Sequence, residues 1–143
     1  MTAHVLVLSD RLDLSPDLSD AVRARAERGG CSFRVIVTNP ARAEFHVLHA
    51  ERHKAVEEAQ PHLDEMVHEL RLLTGRDVDG VVSIRHDPFE AVEEELLQRP
   101  ADELIVAVHD SALARRFHHD LPRRLARFDL PLSLVPSGAT LTH

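Results

Sequence analysis

Histidine, aspartate and serine residues collect in one short part of the chain. The stretch VAVHDSALARRFHHDLP, residues 106–122, holds three histidines and two aspartates. Imidazole and carboxylate groups can bind a divalent metal ion, exchange protons with a substrate or, when the imidazole is protonated, hold an anion. Similar side chains follow other apolar runs. Together they form one set of candidate ligand-binding residues: Asp10, Asn39, His86, His109, Asp110, Ser111, His118, His119 and Asp120.

Two kinds of chemistry would need these residue types. A metal site would take its ligands from His86, His109 and His119, but no His-Glu-x-x-His spacing accompanies them. Acid–base catalysis would need a histidine oriented by an aspartate, and neighbours in an extended chain point in different directions. Ser111 lies near a histidine but is not a compelling nucleophile, so no catalytic residue is assigned and an enzyme is not favoured.

A simpler interpretation gives the same residues structural roles. Asp87 precedes a proline and Asp120 precedes a leucine at the start of predicted helices, where each would act as an N-cap. Such a cap contributes about 1 kcal/mol by accepting backbone N–H bonds. The histidines would then be solvated loop residues.

The elements that must position these residues follow from hydrophobic runs. Five short runs rich in valine, isoleucine and leucine predict buried strands: HVLVLS (4–9), SFRVIVT (32–38), VDGVVSI (78–84), ELIVAV (103–108) and LPLSLV (130–135). Helical patterns lie between them, which predicts a parallel sheet with helices on both faces. In such a sheet ligands bind at the carboxyl ends of the strands, which is where the candidate residues fall.

Four helices are predicted between the strands. The first has Ser15 as N-cap and Gly29–Gly30 as its stop. The longest covers 50–74, with Pro61 as a site of bending or restart and Gly75 as its end. Its apolar stripe consists of Val56, Ala59, Leu63, Met66, Val67, Leu70 and Leu73. The third starts at Asp87 and the fourth at Asp120, and the run EAVEEELLQ in the third predicts a solvated face.

Composition limits the classes of partner. The 143 residues predict one domain, 1–143, with a loose tail at 137–143. The net charge of −7 and the absence of tryptophan and tyrosine disfavour binding to nucleic acid or to an anionic membrane. There is no apolar run long enough to span a membrane and no signal peptide, so a cytoplasmic protein is expected. The single cysteine, Cys31, is expected to be a buried thiol.

Three stretches resemble the universal stress proteins. HVLVLSD resembles the first strand of that family and its aspartate, and DLPLSLVP resembles its last strand, with Pro131 in place. RHDPFEAVEEELLQRPADELIVAV resembles a strand, Gly-Asp-Pro, a helix, Ala-Asp and the fourth strand, with His86 where the family has glycine. The resemblance covers residues 1–137. It implies a single three-layer α/β/α domain of the Rossmann-like, adenine nucleotide alpha hydrolase-like class, with a five-stranded parallel sheet of order 3-2-1-4-5.

The chain departs from the family at the phosphate-binding loop. Members that bind ATP carry Gly, two residues, Gly, nine residues, Gly and then Ser or Thr after the fourth strand, whereas this chain has no glycine from 81 to 137. On that pattern His119 replaces the last glycine and Asp120 the Ser or Thr. A carboxylate at the start of that helix would repel a triphosphate. ATP is therefore not expected as a cofactor, although Asp10 matches the family aspartate that contacts the nucleoside.

The resemblance also implies a quaternary structure and a function. Family members commonly pair through the last strand, so a homodimer through Leu130–Val135 is expected. The leading hypothesis is a non-enzymatic, stress-response protein that acts as a dimer through contacts with another protein. The first alternative is a sensor that binds a nucleotide or a small anion in the altered pocket of histidines and aspartates, and a metal-dependent hydrolase is the third.

Overall fold

A computed structural model describes residues 2–38, 49–83, 88–107 and 129–135, with side chains from residue 57 in the second range and from residue 89 in the third. These residues form one sheet of five parallel strands. The strands are β1 (Ala3–Ser9), β2 (Cys31–Val37), β3 (Val78–Val82), β4 (Glu103–Ala107) and β5 (Leu132–Val135). Their order, β3-β2-β1-β4-β5, confirms the predicted topology.

Three helices connect the strands in the described ranges: α1 (Pro16–Glu27), α2 (His49–Thr74) and α3 (Pro88–Gln98). Ser15 caps α1 as predicted, because its Oγ accepts a hydrogen bond from the backbone N–H of Leu18 at 3.2 Å. α2 runs through Pro61 without a break, and Gly75 follows it in a left-handed conformation with φ of 66°. The predicted fourth helix lies outside the described residues.

The sheet separates two apolar layers. On one face α1 and α2 pack on alternate residues of the strands, and on the other face α3 packs on the intervening residues. Val5 and Val7 therefore face α1 and α2, whereas Leu6 and Leu8 face α3. Helices on both faces are the three-layer arrangement that the alternation of strands and helices predicts.

Two predicted side-chain environments are wrong. The periodicity predicts Leu73 in the apolar stripe of α2, but this residue is 38% exposed, because the stripe moves off the sheet in the last turn. Glu95 belongs to a run that predicts a solvated face, yet it is buried on the sheet side of α3. It lies there because it is paired with Arg34 of β2. Within the described ranges, no helix combines the length and the apolar character that crossing a bilayer requires.

Candidate functional site

The carboxyl ends of all five strands lie at the same level. Ser9 of β1 pairs with Val37 of β2 and with Ala107 of β4, and the register continues outward to Val82 and Val135. Residues that follow the strands therefore meet along one edge of the sheet. We call this the carboxyl edge.

Asp10 is the member of the candidate set that the structure describes. It is half-buried and directly follows Ser9, and β1 lies beside β4. The two strands end together at the point where the chain crosses from one half of the sheet to the other, which is where open α/β sheets bind ligands. The other candidates lie outside the described residues: Asn39, His86, His109, Asp110, Ser111, His118, His119 and Asp120.

A buried hydroxyl fixes the backbone that carries Asp10. Ser9 is fully buried, and its Oγ donates to the carbonyl oxygen of Arg11 at 3.0 Å and accepts from the N–H of Arg11 at 3.1 Å. The backbone N–H and the backbone carbonyl of Arg11 are thereby both hydrogen-bonded to the side chain of Ser9. These two hydrogen bonds stabilise the turn from β1 toward α1, in which Asp10 lies between Ser9 and Arg11.

Thr38 is a residue of the carboxyl edge that the sequence reasoning did not single out. Its N–H donates to the carbonyl oxygen of Ser9 at 3.0 Å, which extends the β1–β2 ladder by one residue. The side chain is 2% exposed, and Oγ1 has no hydrogen-bond partner among the described residues. An unsatisfied buried hydroxyl is costly, so the edge holds a polar atom that a bound molecule or water would satisfy. The sequence gives no signal for this, because threonine is ordinary at the end of a strand.

Ser83 directly follows β3 and continues the same row. It is buried, and its N–H donates to the carbonyl oxygen of Val37 at 2.8 Å. Three buried hydroxyl-bearing residues thus lie at or directly after the ends of three neighbouring strands: Ser9, Thr38 and Ser83. Among these three hydroxyls, only that of Thr38 is buried without a partner among the described residues.

A concave region lies beside the β1–α1 loop. Its volume is about 570 Å³, and it lies between Leu12–Leu14 of the loop and the His62–Glu69 stretch of α2. It holds one histidine and three carboxylates. In the described part of the chain, no three histidine, cysteine, aspartate or glutamate side chains are placed to hold a metal ion.

A charged cluster lies at the opposite end of the sheet, which we call the amino edge. Arg34 of β2 forms ion pairs with the buried carboxylate of Glu95 on α3 and, at 3.1 Å, with Asp79 on β3. Asp79 is also paired with Arg99, at 3.2 Å. The cluster joins the end of α3 to two strands. Its sequence signal is a single arginine inside the otherwise apolar run SFRVIV.

The environment of Arg34 changes its proton affinity. Burial lowers the pKa of Arg34, but the hydrogen bond to Glu95 and the charges of Glu95 and Asp79 act more strongly in the other direction. The net result is a pKa above the ordinary arginine value. Arg34 is therefore a fixed positive charge between two carboxylates, and proton transfer is not a role that it could fill.

Comparison with known proteins supports the fold alone. No protein-family model and no curated protein matches the chain. The crystal structure of the hypothetical protein PH0823 is similar, with a TM-score of 0.60 over 96% of this chain and 97% of that chain. The two sequences are 16% identical. A likeness at that level reports a shared arrangement of strands and helices.

Proposed function

We propose that this chain is a universal-stress-protein-like, non-enzymatic protein of the cytoplasm that acts as a homodimer through protein contacts and does not bind ATP. The observation that carries the proposal is the position of β5. It is one of the two outer strands of the described sheet and pairs with β4 alone. An open strand edge is a template for pairing with another chain.

The register of β5 shows which of its backbone groups point away from β4 and could pair with another chain. The N–H of Leu104 donates to the carbonyl oxygen of Pro131 at 2.9 Å, and Leu104 is opposite Leu132. In a parallel ladder this directs the backbone groups of Leu132 and Leu134 away from β4. Leu134 is also 46% exposed. Pairing of two copies would satisfy the outward backbone groups and cover this leucine.

The open edge is tested by measuring the mass of the protein in solution by light scattering. The unmodified chain is expected at twice the monomer mass. Leu134→Lys should give the monomer, because lysine on an edge strand opposes pairing. Leu97→Lys is the matched control, since Leu97 is 88% exposed on α3 and should not affect the dimer. A monomeric unmodified protein, or a dimer that survives Leu134→Lys, contradicts pairing through β5.

The absence of ATP binding rests on the sequence after β4. The stretch from 81 to 137 offers no glycine to let backbone N–H groups approach a phosphate chain. Isothermal titration with ATP and magnesium should give no heat of binding. Micromolar affinity would show that the loop wraps phosphates without the glycine pattern.

One observation favours the second candidate, a sensor of a nucleotide or small anion at the carboxyl edge. The hydroxyl of Thr38 is buried there without a partner among the described residues, next to the turn that carries Asp10. A thermal-shift screen of phosphate and nucleotides at pH 6 and pH 8 tests it. A shift at pH 6 that fades at pH 8 supports an anion bound by protonated histidines, and equal or absent shifts speak against it.

A further inference from the structure

The amino edge contains a groove that is larger than the concave region beside the β1–α1 loop. Its volume is about 660 Å³, within the range of about 300–1,000 Å³ that is usual for small-molecule sites. It lies at the amino-terminal ends of β1, β2 and β3 and at the end of α3. It is therefore separate from the carboxyl edge, where the alternative sensor function would bind its ligand, and from β5, through which the proposed dimer pairs.

The groove is balanced in charge. Three arginines and three carboxylates line it: Arg34, Arg71, Arg99, Asp77, Asp79 and Glu95. Arg34 is neutralised within the cluster by Glu95 and Asp79, and Arg99 shares Asp79. These groups hold α3 on the sheet and leave little charge for a ligand.

Arg71 and Asp77 line the groove with opposite charges that the ion pairs of the cluster do not include. The Nε of Arg71 donates to the carbonyl oxygen of Val78 at 2.9 Å, which fixes the side chain. Its terminal nitrogens have no ion-pair partner in the described ranges, and neither has the carboxylate of Asp77. Both side chains are exposed, and both line the same groove. They stand on either side of the turn at Gly75, yet they do not neutralise each other.

The remaining lining is apolar except for His4 and Ser32, whose side chains are hydrogen-bonded to each other at 2.9 Å. Leu6 of β1 and Phe33 of β2 contribute to it, together with Pro100 and Ala101 after α3. A ligand that fits must therefore present an apolar body as well as its charges. A simple anion would be repelled by Asp77, and a simple cation by Arg71.

We propose that this groove binds a small zwitterion with an apolar body, the class to which free α-amino acids such as leucine belong. The terminal nitrogens of Arg71 receive the carboxylate of the ligand, and the carboxylate of Asp77 receives its ammonium group. The side chain of the ligand lies on the apolar lining. Both ionic contacts are charge-assisted hydrogen bonds, which are stronger than neutral ones.

The test is a titration of the labelled protein with L-leucine, followed by two-dimensional NMR of the backbone amides. Shifts should be confined to residues 4–6, 32–34, 71–79 and 99–101. N-acetyl-leucine lacks the cation and leucinamide lacks the anion, so each should bind about tenfold more weakly. Binding of either blocked compound as strongly as leucine, shifts centred elsewhere, or no shift at millimolar leucine would overturn the proposal.

Matched variants separate the groove from general charge effects. Asp77→Asn and Arg71→Gln should each weaken leucine binding about tenfold, since each removes one charge-assisted contact. Asp20→Asn and Arg23→Gln change the same charges on α1 and should leave the affinity unchanged. Equal weakening in both pairs would refute a specific site. The melting temperature of each ligand-free variant reports folding separately, and none of these residues lies on β5.

Discussion

Replacing Thr38 with valine removes one buried polar atom and little else. The side chain is 2% exposed, and its Oγ1 has no hydrogen-bond partner among the described residues. Valine has nearly the same shape and replaces the hydroxyl with a methyl group. The substitution therefore asks whether the carboxyl edge carries an unsatisfied group that only a bound molecule would pair.

The magnitude follows from the cost of an orphaned hydroxyl. Leaving a buried polar group without a partner costs about 1–3 kcal/mol of stability. The ligand-free Thr38→Val protein should therefore unfold with a free energy at least about 1 kcal/mol higher than that of the unmodified protein. For a chain of this length, that corresponds to a rise of about 3 °C in melting temperature.

Urea denaturation of extensively dialysed protein measures the difference. The dependence of the unfolding free energy on urea should be unchanged, so the midpoint alone moves. Ser9→Ala is the matched control, because Ser9 is equally buried but its hydroxyl makes two hydrogen bonds to Arg11. The free energy of unfolding of that variant should fall by about 1–2 kcal/mol, whereas that of Thr38→Val should rise.

A loss of stability in Thr38→Val comparable to that in Ser9→Ala would refute the reasoning, because it would mean that the threonine hydroxyl is already paired. If the unmodified protein retains a ligand through purification, the gain should appear only after that ligand has been removed by partial unfolding and refolding. Measuring both variants before and after this treatment shows whether a retained ligand was present.

Two further substitutions test the packing and the ion pairs. A Cβ on Gly80 would lie 3.0 Å from a methyl carbon of Val67, so Gly80→Ala should lower the unfolding free energy by about 1 kcal/mol through overpacking; no loss in urea denaturation would show that α2 moves away freely. Arg25 and Glu103 form a partly buried pair at 2.7 Å, and the hydrogen bond to Glu103 raises the pKa of Arg25 against the effect of burial. Arg25→Met should therefore lower the free energy of unfolding by about 2–3 kcal/mol. Arg28 makes an exposed 3.5 Å contact with the same carboxylate, so Arg28→Met should lower it by under about 0.5 kcal/mol. Equal melting temperatures for the two variants would contradict this ranking.

The strands could be predicted because a short run of neighbouring residues is enough to identify each one. A run such as HVLVLS is apolar at consecutive positions, and only burial on both faces of a sheet suits it. The cap at Ser15 and the stop at Gly75 could be predicted for the same reason, since each depends on the conformation of a few adjacent residues. The order of the strands came from the family resemblance, and the structure confirms it.

The candidate site was only partly predictable. Asp10 lies at the carboxyl edge because it follows a strand, which the sequence shows directly. Thr38 gave no signal, since whether its hydroxyl is paired depends on atoms from other strands. Glu95 was misplaced because a run of glutamates on a helix is usually solvated, and its burial depends on Arg34, which is 61 residues away in the chain.

What the sequence by itself determined is the set of elements, their caps and the edge on which polar residues collect. What only the tertiary structure decided is which charges neutralise one another and which polar atoms remain without a partner among the described residues. The reason is physical. Periodicity and capping are properties of neighbouring residues, whereas the pairing of Arg34 with Glu95, and the lack of a pair for Asp77 in the described ranges, depend on distances between segments far apart in the chain.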